Sequence, residues 1–497
     1  MGRIRPETEV DRTEAALARH GAALPLAYGA TAIDIAPAVA ASPVGQRLLV
    51  VLVNELARMK GVVSSIAVTG VKGVPVLPGV PLEGGDFEAG LAAFVGSLNA
   101  PALKYPATIA FADVGDAVRV GIGTGAEADV VVGADAWRAL LGRYAAEAAW
   151  DAHAPYGAAL AASVAAVEVF KHLLLRSGID DPQRRLVGDL AFSSFNYGVG
   201  AEAAVGPDPR ELELRDLAVA GCGAGGSAAL YVLAMQPGIR GDLALIEPGR
   251  HKLSNINRYL MTSASDVHER RHKLGSAANH LARFAPTLRP TLYPVTWEML
   301  DAHPWPLVLA TVDTIPARWA IQWRAADGAE ILDAAVDDLL YSVFRVVPGG
   351  WCLECKHAYD PDYEFKERAK RWGQELETVR AWTRENVPVT ADMIARLAEV
   401  QNRDPADYAE LEGVPFTETP AMIECGETKL QTDVPSQAPV LPLATTPAGV
   451  LLAAELAKHF VAPEAQLMNW LAHDLGRRPD RPRLVKRPAS AKCPRHD

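Results

Sequence analysis

The sequence predicts an α/β fold built around a Rossmann-like parallel sheet, and three observations predict it. An apolar strand, Leu217-Ala-Val-Ala, runs into Gly221-Cys222-Gly223-Ala224-Gly225-Gly226; a second, Leu243-Ala-Leu-Ile, ends on Glu247; a third, Leu307-Val-Leu-Ala-Thr-Val, delivers Asp313. Short apolar runs bounded by turn residues suit strands buried on both faces, as parallel strands are. Ligands bind at the carboxyl ends of strands in open α/β sheets, which is where all three features fall.

Each element has a chemical use. The glycines let backbone N–H groups approach phosphate oxygens at the start of a helix, and Glu247 can bind ribose hydroxyls. About one βα unit after the turn comes Asn255-Ile256-Asn257-Arg258, whose arginine can neutralise phosphate charge; Lys273 lies on the next predicted helix, and Arg318 follows Asp313 by five residues. Alone, the glycine pattern also fits NAD- and FAD-binding domains and turns with no ligand. Hydride chemistry, however, has no need of Arg258.

Together these residues resemble the adenylation domain shared by the ubiquitin-activating enzymes and their bacterial relatives ThiF and MoeB. The resemblance runs from about Leu214 to the C-terminus and rests on Gly221-x-Gly223-x-x-Gly226, Glu247, Asn255 and Arg258, Lys273, and Asp313 with Arg318. It implies attack by the C-terminal glycine carboxylate of a partner protein on the α-phosphate of ATP, giving an acyl-adenylate and pyrophosphate. Such a step is mostly positioning and charge stabilisation. Arg258 and Lys273 would hold the phosphates and Asp313 a Mg²⁺ ion; no general base is required. Three departures stand out: Glu247 is a lone carboxylate where the family commonly shows Asp-x-Asp, Tyr259 replaces a frequent Gln, and Lys273 sits two residues late relative to Asp266, with Arg271 as the alternative.

Five cysteines in 497 residues make no disulfide framework. Cys222 lies inside the glycine turn, where a small side chain suffices. Cys352-Leu-Glu-Cys355 is half a zinc knuckle, and the resemblance implies a second pair near the C-terminus, here Cys493-Pro-Arg-His496. A Cys₃His set suits structural Zn²⁺, with His357 a competing fourth ligand. Cys425 falls where related enzymes carry the cysteine that accepts the acyl group as a thioester; the alternative is a small buried hydrophobe.

Residues 359–413 carry helical periodicity in EFKERAKRWGQELETVRAW and TADMIARLAEV and are expected to form a helical insertion near Cys425. Residues 1–205 contain strand-like and helix-like runs without a phosphate-binding cluster. Pro155-Tyr-Gly157-Ala-Ala-Leu160 has the spacing of Pro447-Ala-Gly449-Val-Leu-Leu452. The expectation is therefore a degenerate, inactive adenylation-like domain over 1–205, a linker over 201–210, and an active domain over 206–358 and 414–497. Ubiquitin-activating enzymes pair domains in this way, whereas ThiF and MoeB are homodimers. Either an intrachain pseudo-dimer or a homodimer fits, and Arg3, Arg5 or Arg12 could reach ATP across it.

The net charge of −11 is spread without a basic tract, which disfavours nucleic acid and anionic membranes as partners. No signal peptide and no 18-residue apolar run is read in the sequence, so a soluble, cytoplasmic protein is expected. Three readings follow. In the first, the chain resembles the activating enzymes of bacterial ubiquitin-like conjugation operons, including the antiphage Bil type, and serves a ubiquitin-like protein and a conjugating enzyme. The second is activation of a sulfur carrier or modification of a peptide C-terminus. The third, a redox or non-catalytic Rossmann module, leaves Arg258, Lys273 and Asp313 without a purpose.

Overall fold

The computed structural model describes residues 29–100, 103–125, 127–179, 185–347, 350–401, 404–419, 442–490 and 493. Its first half contains β1 (Gly29–Ile35), β2 (Val63–Thr69), β3 (Ile109–Ala110), β4 (Ala117–Ile122), β5 (Val130–Ala134), β6 (Arg138–Leu141) and β7 (Leu190–Ser193). The second contains β8 (Leu212–Ala220), β9 (Ile239–Ile246), β10 (Leu288–Tyr293), β11 (Leu307–Ala310), β12 (Glu330–Asp337), β13 (Leu340–Arg345), β14 (Trp470–Asp474) and β15 (Arg483–Val485).

The first sheet has the order β3-β2-β1-β4-β5-β6-β7 and the second β10-β9-β8-β11-β12-β13-β14-β15. Strand for strand, the second sheet repeats the first and adds one edge strand. The central pairs β1–β2, β1–β4, β8–β9 and β8–β11 are parallel, and both sheets turn antiparallel at the fifth strand. Leu217–Ala220 and Leu307–Ala310 are buried throughout, as strands covered on both faces must be.

The helices are α1 (Pro43–Arg58), α2 (Phe87–Ser97), α3 (Tyr156–Arg176), α4 (Ala224–Ala234), α5 (Lys273–Phe284), α6 (Ile315–Arg324), α7 (Tyr363–Trp372), α8 (Leu376–Glu385), α9 (Ala391–Val400) and α10 (Pro442–Val461). Proline at its first turn and Ser42, whose hydroxyl accepts from Gly45 N–H at 3.1 Å, start α1. α10 lies on α4 in its own half and on α3 in the other, and α1 packs on α3. Consequently the largest core cluster is shared by both halves and runs from Ile33 to Leu475, while a second covers the other face of the second sheet around Val308 and Phe344.

The expectation that the chain lacks a long apolar run is corrected by α3. This 21-residue helix has the length and hydropathy of a membrane span, yet 89% of its apolar window is buried within the fold. A helix packed against β4, β5 and β6 of the first sheet and against both α1 and α10 must be apolar nearly all round. The Pro155 and Pro447 repeat also differs in detail, because Pro155 precedes α3 whereas Pro447 lies inside α10. Gly157 faces the backbone of Asp135 and Arg138, but Gly449 faces Ala228 and Gly225 on α4.

In the first half, a short helical turn at Pro37–Ala40 follows β1 in place of a glycine turn. Val39 fills the strand ends there: a Cβ on Gly123 would lie 2.5 Å from its Cγ2. Residues 201–210 are tied down rather than loose, since Asp208 accepts from the His153 and Ala154 N–H groups at 2.9 and 2.8 Å. In the insertion, Gly373 adopts φ 59° and divides one helical stretch into α7 and α8. With α9 they enclose a separate small core around Trp372, Leu397 and Phe416.

Candidate active site

The carboxyl ends of β8, β9 and β11 open onto a cavity of ≈ 640 Å³ whose lining includes Gly221, Gly223, Glu247, Arg258, Lys273 and Asp313. Gly221 turns the chain with φ 97°. A Cβ on Gly226 would lie 2.2 Å from Gly221 O, so Gly226 serves the packing of α4 against the turn and sits behind the cavity wall. Gly223 differs: the nearest atom to a Cβ there is Tyr259 Oη at 3.6 Å, which leaves its open side toward the cavity.

Glu247 closes the turn from behind. Its Oε2 accepts from Cys222 N–H at 3.0 Å and its Oε1 from Gly249 N–H at 2.7 Å, while Lys273 Nζ lies 3.4 Å from Oε1. Lys273 opens α5, and its own N–H donates to Gly249 O at 3.0 Å. Burial pulls the Lys273 pKa down, but Tyr259, Glu247 and Asp313 outweigh it and hold the ammonium above the usual lysine value. Tyr259, where the family often has Gln, faces two cations, with Arg258 Cζ 5.3 Å and Lys273 Nζ 5.5 Å from its ring centre.

Arg258 Nη1 donates to Ser254 O at 2.9 Å and Asn257 Oδ1 at 3.1 Å. Asn255 is buried and does not line the cavity; its Oδ1 accepts from Lys252 N–H at 2.9 Å, shaping the turn that ends at Arg258. Arg271, the alternative to Lys273, pairs instead with Glu269 at 2.8 Å and Asp266 at 3.3 Å. Between the Asn-x-x-Arg run and Lys273 the chain passes through a short helical turn at Ala264–His268 and through Arg270 at φ 49°.

Asp313 stands exposed at the cavity edge after β11, and its carboxylate oxygens are ligands of the kind that a hard divalent cation takes. Arg318 also lines the cavity, its Nε 2.8 Å from Asp333 Oδ1 and its Nη2 donating to Ala334 O at 3.0 Å. Burial would raise the Asp333 pKa, yet Arg318 and Lys356 press it down to about 2. Trp297 and Thr311 complete the wall. Thr311 falls in the apolar run before Asp313 without being singled out there, and no pattern in the sequence marks Trp297.

A second constellation lies at the C-terminal end. Cys352 Sγ is 3.7 Å from both Cys355 Sγ and Cys493 Sγ. A tetrahedral ion with bonds of about 2.3 Å to sulfur requires ligand edges of about 3.8 Å, so this donor set fits Zn²⁺. His357 is not part of the cluster that these three cysteines form among the described residues. His496, Cys425 and the arginines at 3, 5 and 12 lie outside the described residues. Cys222 is buried beneath the turn, and burial first, then Glu247, pushes its thiol well up, which keeps it protonated.

The sequence profile of the ThiF family matches residues 204–494. A protein of Sinorhizobium fredii (strain NBRC 101917 / NGR234) known as "Uncharacterized protein y4jF" is 26% identical over 345 residues, covering 66% of this chain. The chain thus spans 64% of that relative's length. Among solved structures, E. coli MccB with ATP aligns at 12% identity and TM-score 0.35, over 57% of this chain and 66% of that one. The microcin C7 biosynthetic enzyme MccB with N-formylated MccA aligns at 14% and 0.33, over 56% and 66%. With more than half of its length matched by the profile, the chain belongs to the ThiF family.

Proposed function

We propose that the chain is an ATP-dependent adenylyltransferase that activates the C-terminal carboxylate of a small partner protein. The observation that carries this reading is the convergence of Gly223, Arg258, Lys273 and Asp313 on one cavity at the strand ends. The incoming carboxylate attacks the α-phosphate, the bond to the β-phosphate bridge breaks, and pyrophosphate leaves. Open backbone at Gly223 gives the phosphates close approach, and Arg258 and Lys273 oppose the charge that builds there. Asp313 would hold Mg²⁺, whose chemistry is to neutralise the pyrophosphate. Because the nucleophile is already anionic, no residue has to accept a proton.

The finer reading is a ubiquitin-activating-enzyme-like protein of bacterial antiviral defence. Its adenylate would be attacked by the Cys425 thiolate, forming a thioester, releasing AMP and passing the acyl group to a conjugating enzyme. Support comes from the two matched sheets, of which only the second bears the glycine turn; the first then acts as a degenerate domain in an intrachain pseudo-dimer. Cys352, Cys355 and Cys493, with His496, would hold a structural Zn²⁺ ion. We assign the reaction to the cytoplasm, where ATP and reduced thiols are maintained. Activation of a sulfur carrier or a peptide C-terminus would use the same cavity without a thioester.

The test is ATP–pyrophosphate exchange with Mg·ATP and a glycine-terminated ubiquitin-like protein, followed by a non-reducing gel. Exchange that disappears in Asp313→Ala is expected; its absence in the unaltered chain sinks adenylation. A thiol-sensitive adduct that Cys425→Ala loses supports conjugation, while exchange without an adduct favours the sulfur-carrier or peptide reading.

A further inference from the structure

Arg58, at the end of α1 in the first half, is fully buried. Its guanidinium reaches into the second half, where Nη1 donates to Ile256 O at 2.8 Å and Nη2 to Leu260 O at 2.9 Å and Thr262 O at 3.0 Å. Asn54, one turn earlier, accepts from Arg58 Nε at 2.6 Å and donates to the same Leu260 carbonyl at 3.1 Å. These three carbonyls lie on either side of Arg258 and Tyr259. A planar guanidinium holds several carbonyls at fixed angles through separate nitrogens, whereas a lysine would have to gather them on a single ammonium.

Arg58 does not line the ≈ 640 Å³ cavity; it borders a smaller cleft of ≈ 310 Å³ between the halves. Burial lowers its pKa to about 9, against the opposing pull of Tyr231 and Asp266, so it stays charged at neutral pH. Its hydrogen bonds therefore bear on the loop and not on a ligand.

We propose that Arg58, oriented by Asn54, is a positioning residue that fixes the 256–262 loop so that Arg258 faces the phosphates, making the site of the second half depend on a side chain of the first. The inference rests on reading the cavity as a nucleoside triphosphate site. It is tested on the full chain by calorimetry with the Mg²⁺ complex of the α,β-methylene analogue of ATP and, separately, with adenosine.

Arg58→Met is expected to weaken the triphosphate analogue at least tenfold and adenosine less than twofold, with partial recovery in Arg58→Lys. In an Arg258→Ala background the same substitution should cost nothing further, a coupling that a purely structural role would not produce. Equal loss of both ligands, or triphosphate affinity within twofold of the unaltered chain, overturns the proposal. If Arg58→Met does not fold, Asn54→Ala decides by the same ratio. Failure of the unaltered chain to bind the analogue at all overturns the nucleotide reading and this inference with it, whereas binding that Arg58→Met leaves intact overturns this inference alone.

Discussion

Lys356 Nζ lies 2.9 Å from one oxygen of Asp333, and Arg318 Nε lies 2.8 Å from the other. Lys356 adjoins Cys355 of the thiol cluster and Arg318 lines the cavity, so one buried carboxylate joins the two constellations. Asp333→Asn leaves two buried cations unmatched and is expected to cost about 3–5 kcal/mol of stability. Urea unfolding measures it. A change below about 1 kcal/mol would show that Asp333 is not the anchor of this wall.

Glu55 on α1 sets an expected pH dependence. Its Oε2 is buried without a hydrogen-bond partner, Ser163 donates to Oε1 at 2.7 Å, and burial raises the pKa from about 4.5 to about 8. The fold thus favours the protonated acid. Its contribution is complete below about pH 4.5 and is lost as pH rises through about 8, at roughly 1.4 kcal/mol per unit. Glu55→Gln should remove that slope and raise stability at pH 8 by roughly 2–4 kcal/mol relative to the unaltered chain. Denaturation midpoints that fall equally steeply in both proteins between pH 5 and 8 would refute it.

Two glycines of the same turn should respond differently to alanine. A Cβ on Gly226 meets backbone at 2.2 Å, and Gly226→Ala should destabilise by about 3 kcal/mol. Gly223 has an ordinary φ of −71° and open space beside it, so Gly223→Ala should melt within about 1 kcal/mol of the unaltered chain yet bind triphosphate at least tenfold more weakly. Thermal melts and nucleotide titrations on both variants separate the roles. Unimpaired binding in Gly223→Ala would show that phosphate does not approach there.

The thiol cluster makes a prediction about composition. Purified chain is expected to carry one Zn²⁺ per molecule by elemental analysis, falling to near zero in Cys352→Ser with a lower melting temperature. Equal metal content in both would remove the metal assignment. Cys493 is the ligand expected to tether the tail, so Cys493→Ser should expose the segment after β15 to protease before anything else is cut.

The sequence made the local parts of the site legible, because a glycine turn, Glu247 and Asp313 each mark the end of an apolar strand. Residues acting over long separations were not legible. Arg58 reads as an ordinary helix cation, and only tertiary folding shows that its acceptors lie around residue 260. Asn255 is conspicuous in the sequence only as a motif position, and the hydrogen bond that it accepts within its own turn becomes visible only in the fold. α3 illustrates the same limit for the fold: only the packing shows that its own sheet and α1 cover most of it while α10 of the other half covers the rest.

The continuous core from Ile33 to Leu475 has a genetic corollary. If the coding sequence were divided within the stretch around Gly206, neither product would be a self-sufficient protein, since each would expose to water the apolar faces that α3 and α10 turn to one another. Expressed singly, each fragment should be insoluble; expressed together, they should assemble into an obligate heterodimer. Fusion into one polypeptide fixes their ratio at one to one and spares them the search for each other.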